Sequence, residues 1–133
     1  MKVLFVCSGN AYRSPLAEAL FKKIKPEIKV DSAGIHSPLI PISGAAREYL
    51  TKENALQYLK KLPEGLDNKQ LNDYDLIIAM EPHHKDAIVD RCPECEGKII
   101  VWSIDDPYFL PLGSAKEIFK QIKDKVGELA NSL

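Results

Sequence analysis

With 133 residues, 45% of them hydrophobic, the chain is expected to form one ordinary globular domain with a proper core. Its 18 Lys and Arg against 19 Asp and Glu leave a net charge of −1, which gives no global electrostatic case for nucleic-acid or membrane binding. No apolar run approaches a membrane span, and Lys2 precedes only a short apolar stretch, so neither an anchor nor a signal peptide is expected and the predicted location is cytoplasmic.

Val3-Leu4-Phe5-Val6 is a continuous apolar run, which predicts a strand buried on both faces. Ser14 as N-cap and Pro15 at the first helical position open a helix, with Leu16, Leu20 and Ile24 as its buried stripe. Glu18 suits the first turn, and Lys25-Pro26 ends the helix. Residues 28–31 predict a second strand leading into Ser32-Ala33-Gly34, and a loop rich in Pro and Ile runs from 35 to 43. Ser43 caps a helix over 44–54, residues 55–62 read as extended, and residues 68–73 read as a short helix. Strand three is expected at 75–80. Pro82 starts a helix reaching about residue 89, and strand four covers 98–102, with Trp102 closing it against the core. Ser114 caps a final helix whose Ile118, Ile122, Val126 and Leu129 face inward. Alternating strands and helices imply an α/β fold with a parallel sheet covered on both faces.

The segment between the first strand and the first helix is Cys7-Ser8-Gly9-Asn10-Ala11-Tyr12-Arg13-Ser14-Pro15. It carries a thiol, a run of backbone N–H groups and a guanidinium to a helix N-terminus, where free N–H groups and the helix dipole favour an anion. Gly9 opens backbone conformations closed to other residues, and Asn10 tolerates left-handed geometry. Arg13 offers a planar fork matching two phosphate oxygens. Cys7, near that positive end, is the candidate nucleophile, and Ser14 is placed to donate to its sulfur. The bland alternative for Cys7 is an inert buried cysteine.

This loop resembles the signature of the low-molecular-weight protein tyrosine phosphatases. Ser14, Pro15, Ala17 and Glu18, then Asp31-Ser32-Ala33-Gly34, Leu76-Ile77-Ile78-Ala79-Met80 and Asp106-Pro107-Tyr108 extend the likeness over nearly the whole chain. The resemblance implies a four-stranded parallel sheet in the order 2-1-3-4, with the loop at the carboxyl end of strand one. It implies that Cys7 is the nucleophile and that Arg13 and the stretch Ser8, Gly9, Asn10, Ala11, Tyr12, Arg13 and Ser14 bind phosphate. Asp106 becomes the general acid and base, while its neighbour Asp105 reads as a solvated loop carboxylate or an orienting charge. Ile35, Pro38, Leu39, Tyr108 and Phe109 become the substrate-pocket walls. No metal or other cofactor is expected, because the thiolate and Arg13 replace one. The implied partner is a phosphorylated protein, and the chain is expected to be a monomer.

Three positions depart from the family pattern. Most members carry a second cysteine one residue before the Arg, where this chain has Tyr12, a residue that could simply pack on the second-strand region. Many have a His before strand three that supports the loop Asn; no His lies between Ser37 and Pro82, and Tyr58 is the expected substitute. An aromatic residue after Ser-Ala-Gly is replaced by the aliphatic region of Pro38, Leu39 and Ile40.

Cys92-Pro93-Glu94-Cys95 reads by default as two reduced surface thiols, with a disulfide, or a zinc site shared with His83 and His84, as alternatives. Both His residues read as exposed helix positions. Phosphotyrosine hydrolysis is therefore the main expectation. Phosphoarginine hydrolysis, as in the family's protein-arginine phosphatases, is the alternative, because Ala11 matches neither the bulky aliphatic of the tyrosine enzymes nor the Thr of the arginine enzymes. Arsenate reduction on the same fold is a further alternative, although Met80-Glu81 stand where its first relay cysteine belongs. A non-catalytic phosphate-binding module would need neither Cys7 nor Asp106.

Overall fold

The computed structural model describes residues 1–36, 40–107, 110–111 and 113–133. Four strands form a parallel sheet: β1 (Lys2–Cys7), β2 (Lys29–Gly34), β3 (Leu76–Ala79) and β4 (Ile99–Val101), in the order β2-β1-β3-β4. This is the order the resemblance implied. Successive strand residues point to opposite faces, so β1 feeds two cores. Val3, Phe5 and Cys7 face helices α1 (Arg13–Ile24) and α4 (Ser114–Ser132). Leu4 and Val6 face the other side, where α3 (Pro82–Arg91) and short 3-10 turns pack. Phe5 anchors the first core, with Phe21 edge-on at 5.9 Å and Trp102 tilted against it at 5.5 Å. Trp102 thus closes strand four as expected.

Helix α2 (Gly44–Lys52) begins as the sequence predicts, the Ser43 hydroxyl accepting from the Ala45 and Ala46 amides. Other boundaries differ. Helix α1 starts at Arg13 with Tyr12 at the N-cap, and the Ser14 hydroxyl serves Cys7 and Asn10 rather than the helix end. Ile24, assigned to the buried stripe, is 49% exposed as the last residue of the helix. Glu18, expected in the first turn, lies beyond it and is buried. Residues 55–62 are not a continuous extended segment: Leu56–Tyr58 forms a 3-10 turn. The short helix expected over 68–73 is two such turns, Leu66–Asn68 and Leu71–Asp73, each burying its leucine. Helix α3 reaches Arg91, and Gly113, at φ 94°, rather than Ser114, sits at the cap of α4. The expected inward residues of α4, Ile118, Ile122, Val126 and Leu129, are all buried.

Cys92 and Cys95 are joined in a disulfide within the second core, which corrects the reading of two reduced surface thiols. His84 is fully buried, against the expectation of an exposed helix residue; His83 is exposed. Among the described residues no cluster of three or more His, Cys, Asp or Glu is placed to hold a metal, so the zinc alternative finds no site. No helix among them is long and apolar enough to cross a membrane.

The end of β2 carries the loop after β1. The Ile35 amide donates to the Cys7 carbonyl at 3.0 Å and the His36 amide to the Ser8 carbonyl at 3.1 Å. Gly34 lies so close that a Cβ there would sit 2.7 Å from the Ser8 carbonyl oxygen and 2.8 Å from the Gly9 carbonyl carbon. Beside β2 lies a charge network. Lys60 sits 2.8 Å from Glu64, 3.7 Å from Asp31 and 3.9 Å from Glu18, and Lys69 contacts Asp31 at 2.5 Å and Glu64 at 3.0 Å. Burial pushes the Asp31 and Glu64 carboxyls up, but their lysine hydrogen bonds and charges, with the Ser32 amide on Asp31, outweigh it and hold both below the ordinary range.

Two outcomes follow for stability. Gly34→Ala should destabilise the fold by roughly 1–3 kcal/mol in urea unfolding, because backbone rather than a movable side chain blocks the methyl. Asp31 and Glu64, depressed in the folded state, contribute stability above their unfolded pKa values that is lost as pH falls through the folded ones. The melting temperature should fall on acidification below about pH 5, and Lys69→Met should flatten that fall.

Candidate active site

The loop from Cys7 to Arg13 leaves the carboxyl end of β1 and enters α1. Cys7 is 2% exposed, and its Sγ lies 2.9 Å from the Ser14 Oγ. Asn10 adopts the left-handed conformation at φ 55°. Its Nδ2 donates to Ser14 Oγ at 2.8 Å and to Ser32 Oγ at 2.9 Å, while its Oδ1 accepts from the Glu64 amide at 2.9 Å. Every amide position of Asn10 is thus engaged. Because Ser14 Oγ already accepts from Asn10, its own hydrogen is available to the Cys7 sulfur. Ser32 passes its hydrogen to Glu18 at 2.5 Å and accepts from Lys60 at 3.3 Å. Ser32, Glu18, Lys60 and Glu64 therefore do for Asn10 what Tyr58 was expected to do. Tyr12 stacks on Phe119 of α4 at 5.6 Å rather than on the second-strand region.

Arg13 is 1% exposed and gathers three segments. Its Nη1 pairs with Glu81 just before α3 and donates to the Ile104 carbonyl at 2.7 Å. Its Nη2 lies 3.4 Å from Ser8 Oγ and 3.5 Å from Asp106 Oδ2. Ile104 is itself held by its amide on the Met80 carbonyl at 2.7 Å, a continuation of the β3–β4 pairing. A cavity of about 330 Å³ opens here, lined by Ser8, Arg13, Glu81, His83, Asp105, Asp106 and Leu110. Asp106 is half-buried in it and Asp105 is exposed.

Behind Ser8 stands His84. Its Nδ1 accepts from the Glu81 amide at 3.0 Å and its Nε2 lies 2.9 Å from Ser8 Oγ. Burial, with the charge of Arg13 and then of His83 and His36, pushes its pKa down to about 3, so the ring is neutral.

The structure brings Ser8, Arg13 and Asp106 to one cavity, with Cys7, Asn10 and Ser14 tied beneath them. Ala11 is buried, and its carbonyl accepts the Ser43 amide at 2.8 Å. Ile35, expected on the pocket wall, lines instead a neighbouring cavity of about 240 Å³ with His36, Leu66, Asp67, Asn68 and Arg91. Its side chain follows β2 outward and packs on the second core. Pro38, Leu39, Tyr108 and Phe109 lie outside the described residues. Glu81, His84, Glu18, Ser32 and Lys60 went unassigned as site residues. Only Glu81-Pro82, at a helix start beside a predicted strand end, carried a local signal of a functional carboxylate.

The arrangement can hold a tetrahedral dianion against Arg13 and the loop amides beside a thiol, with a carboxyl group facing the same space. The model for the family described as low molecular weight phosphotyrosine protein phosphatase matches residues 2–133. The low-molecular-weight protein-tyrosine-phosphatase Wzb of Salmonella typhimurium is 28% identical over 139 residues, covering 99% of this chain and 93% of its own. A protein-arginine-phosphatase of Bacillus subtilis is 32% identical, covering 100% and 94%. Among solved structures, a low-molecular-weight protein tyrosine phosphatase from T. tengcongensis superposes with a TM-score of 0.87 at 32% identity, covering 100% of this chain and 99% of that one. The chain belongs to the low-molecular-weight phosphotyrosine protein phosphatase family.

Proposed function

We propose that the chain hydrolyses phosphotyrosine in proteins through a phospho-cysteine intermediate. The observation that carries this is the convergence of Arg13, paired with Asp106 at 3.5 Å, on a cavity next to a thiol tied to Ser14. The Cys7 thiolate attacks phosphorus while the bond to the phenolic oxygen breaks, and Asp106 gives its proton to the departing oxygen. Water then attacks the phosphorus–sulfur linkage, Asp106 takes its proton, and the thiolate leaves with its electron pair. Arg13 and the loop amides stabilise the spread negative charge, and the Ser14 hydroxyl stabilises the thiolate. The substrate is a phosphorylated protein, the chain acts as a monomer, and its place of action is the cytoplasm, where Cys7 stays reduced.

Phosphoarginine is the second reading, and the cavity itself favours it: Glu81, Asp105 and Asp106 give it three carboxylates, suited to a cationic guanidine leaving group. The arginine phosphatase relative points the same way. Arsenate reduction is not proposed, because Cys92 and Cys95 are bonded to each other in the core opposite Cys7.

Cys7→Ser should abolish turnover yet retain phosphate binding. Asp106→Asn should slow phosphotyrosine peptide hydrolysis by about 10²–10⁴-fold, and less for esters with good leaving groups. Parallel assays on phosphotyrosine and phosphoarginine peptides decide the substrate; an Asp106→Asn variant as fast as wild type on phosphotyrosine removes that residue from the acid role. Among the cysteines Cys7 alone is free, so no nearby thiol is available to trap its sulfenic acid. Peroxide inactivation should therefore resist reversal by dithiothreitol, which an activity-recovery assay checks.

A further inference from the structure

The mechanism above leaves the Ser8–His84 pair without a task, although both are fixed with more care than a packing role requires. The Glu81 backbone N–H can only donate, and it lies 3.0 Å from Nδ1 of His84. That nitrogen therefore keeps its lone pair, and the proton of the neutral ring sits on Nε2. Nε2 then donates to Ser8 Oγ at 2.9 Å. Arg13 Nη2 presents a second donor to the same oxygen at 3.4 Å. With both lone pairs of Ser8 Oγ facing donors, its own hydrogen has to be given elsewhere. Ser8 lines the cavity beside Arg13 and Asp106, so the open direction is the space where a phosphoryl group would sit.

We propose that the Ser8 side chain is a fixed hydrogen-bond donor to a phosphoryl oxygen, and that His84 is the positioning residue that aims it. The proposal rests on the phosphatase reading for the identity of the group in the loop. A hydroxyl free to rotate would spend part of its time presenting a lone pair to the dianion. One locked by two donors presents only hydrogen, and needs no reorganisation as charge develops on the equatorial oxygens. Full burial of His84 and the charges of Arg13, His83 and His36 keep the ring from taking a second proton, which would set Nδ1–H against the Glu81 N–H.

The test is the dissociation constant for inorganic phosphate, by calorimetry, alongside turnover of an aryl phosphate. Ser8→Ala should weaken phosphate binding about tenfold, as expected for a lost hydrogen bond to a charged group. Ser8→Thr should restore it. His84→Leu should weaken binding by a similar factor, and the double variant Ser8→Ala/His84→Leu no further, because the two act through one hydrogen bond. Nitrogen NMR of the wild type should show His84 protonated at Nε2 and bare at Nδ1 from about pH 5 to pH 8. Should His84→Leu fail to fold, the Ser8 variants and that spectrum decide alone. Unchanged phosphate affinity in Ser8→Ala, or a proton on Nδ1, overturns the proposal while leaving a catalytically active wild type intact as a phosphatase. A wild type that binds phosphate in a Ser8-dependent way but hydrolyses no ester leaves the donor standing and overturns the phosphatase reading. A wild type that binds no phosphate overturns both.

Discussion

A guanidinium buried to 1% exposure must find counter-charges and acceptors at every edge, or the fold loses several kcal/mol. Arg13 finds them on two segments far from it in sequence: Glu81 before α3, and the stretch after β4 that supplies the Ile104 carbonyl and, two residues later, Asp106. Each strand end on that side of β1 is therefore tied to one side chain. The same contacts that satisfy Arg13 also prevent its fork from wandering, which leaves it aimed at the cavity. An anion entering the loop meets a charge already held in place.

The rigidity continues under the loop. A left-handed Asn10 bridges Ser14, Ser32 and the Glu64 amide, and Ser32 in turn donates to Glu18 and accepts from Lys60 beside β2. Gly34 lets β2 press directly on the Ser8–Asn10 backbone. The loop thus has a floor of backbone and a wall of paired charges, and neither gives way easily. Such support is what a site needs when its donors must stay aimed while charge builds on a ligand.

Tyr12 shows how a replaced residue is absorbed. Its ring reaches across to stack on Phe119, and Phe119 also meets Tyr49 of α2 at 5.2 Å. The loop is thereby fastened to two helices by aromatic packing. The other two cysteines, closed on each other behind the opposite face of the sheet, supply no substitute thiol.

The sequence by itself determined the elements with strong periodicity and the loop with strong chemistry. The unbroken apolar run of β1, the inward stripe of α4, the Ser43 cap and the Cys7-to-Arg13 spacing are local, and local signals survive folding. The strand order was legible only through the family likeness. Residues 55–62 and 68–73 differ from expectation because their short turns follow no period, and those at Leu66 and Leu71 are set by where these leucines find the second core. The partners of Arg13 and Asn10 were invisible for a related reason. Glu81, Ile104, Ser32 and Glu64 lie up to 91 residues away, and only the parallel pairing of β1 with β2 and β3 brings them together. His84 is the sharpest case. On its helix it is one of two adjacent histidines, and only the tertiary structure buries one against Ser8 and leaves the other in solvent.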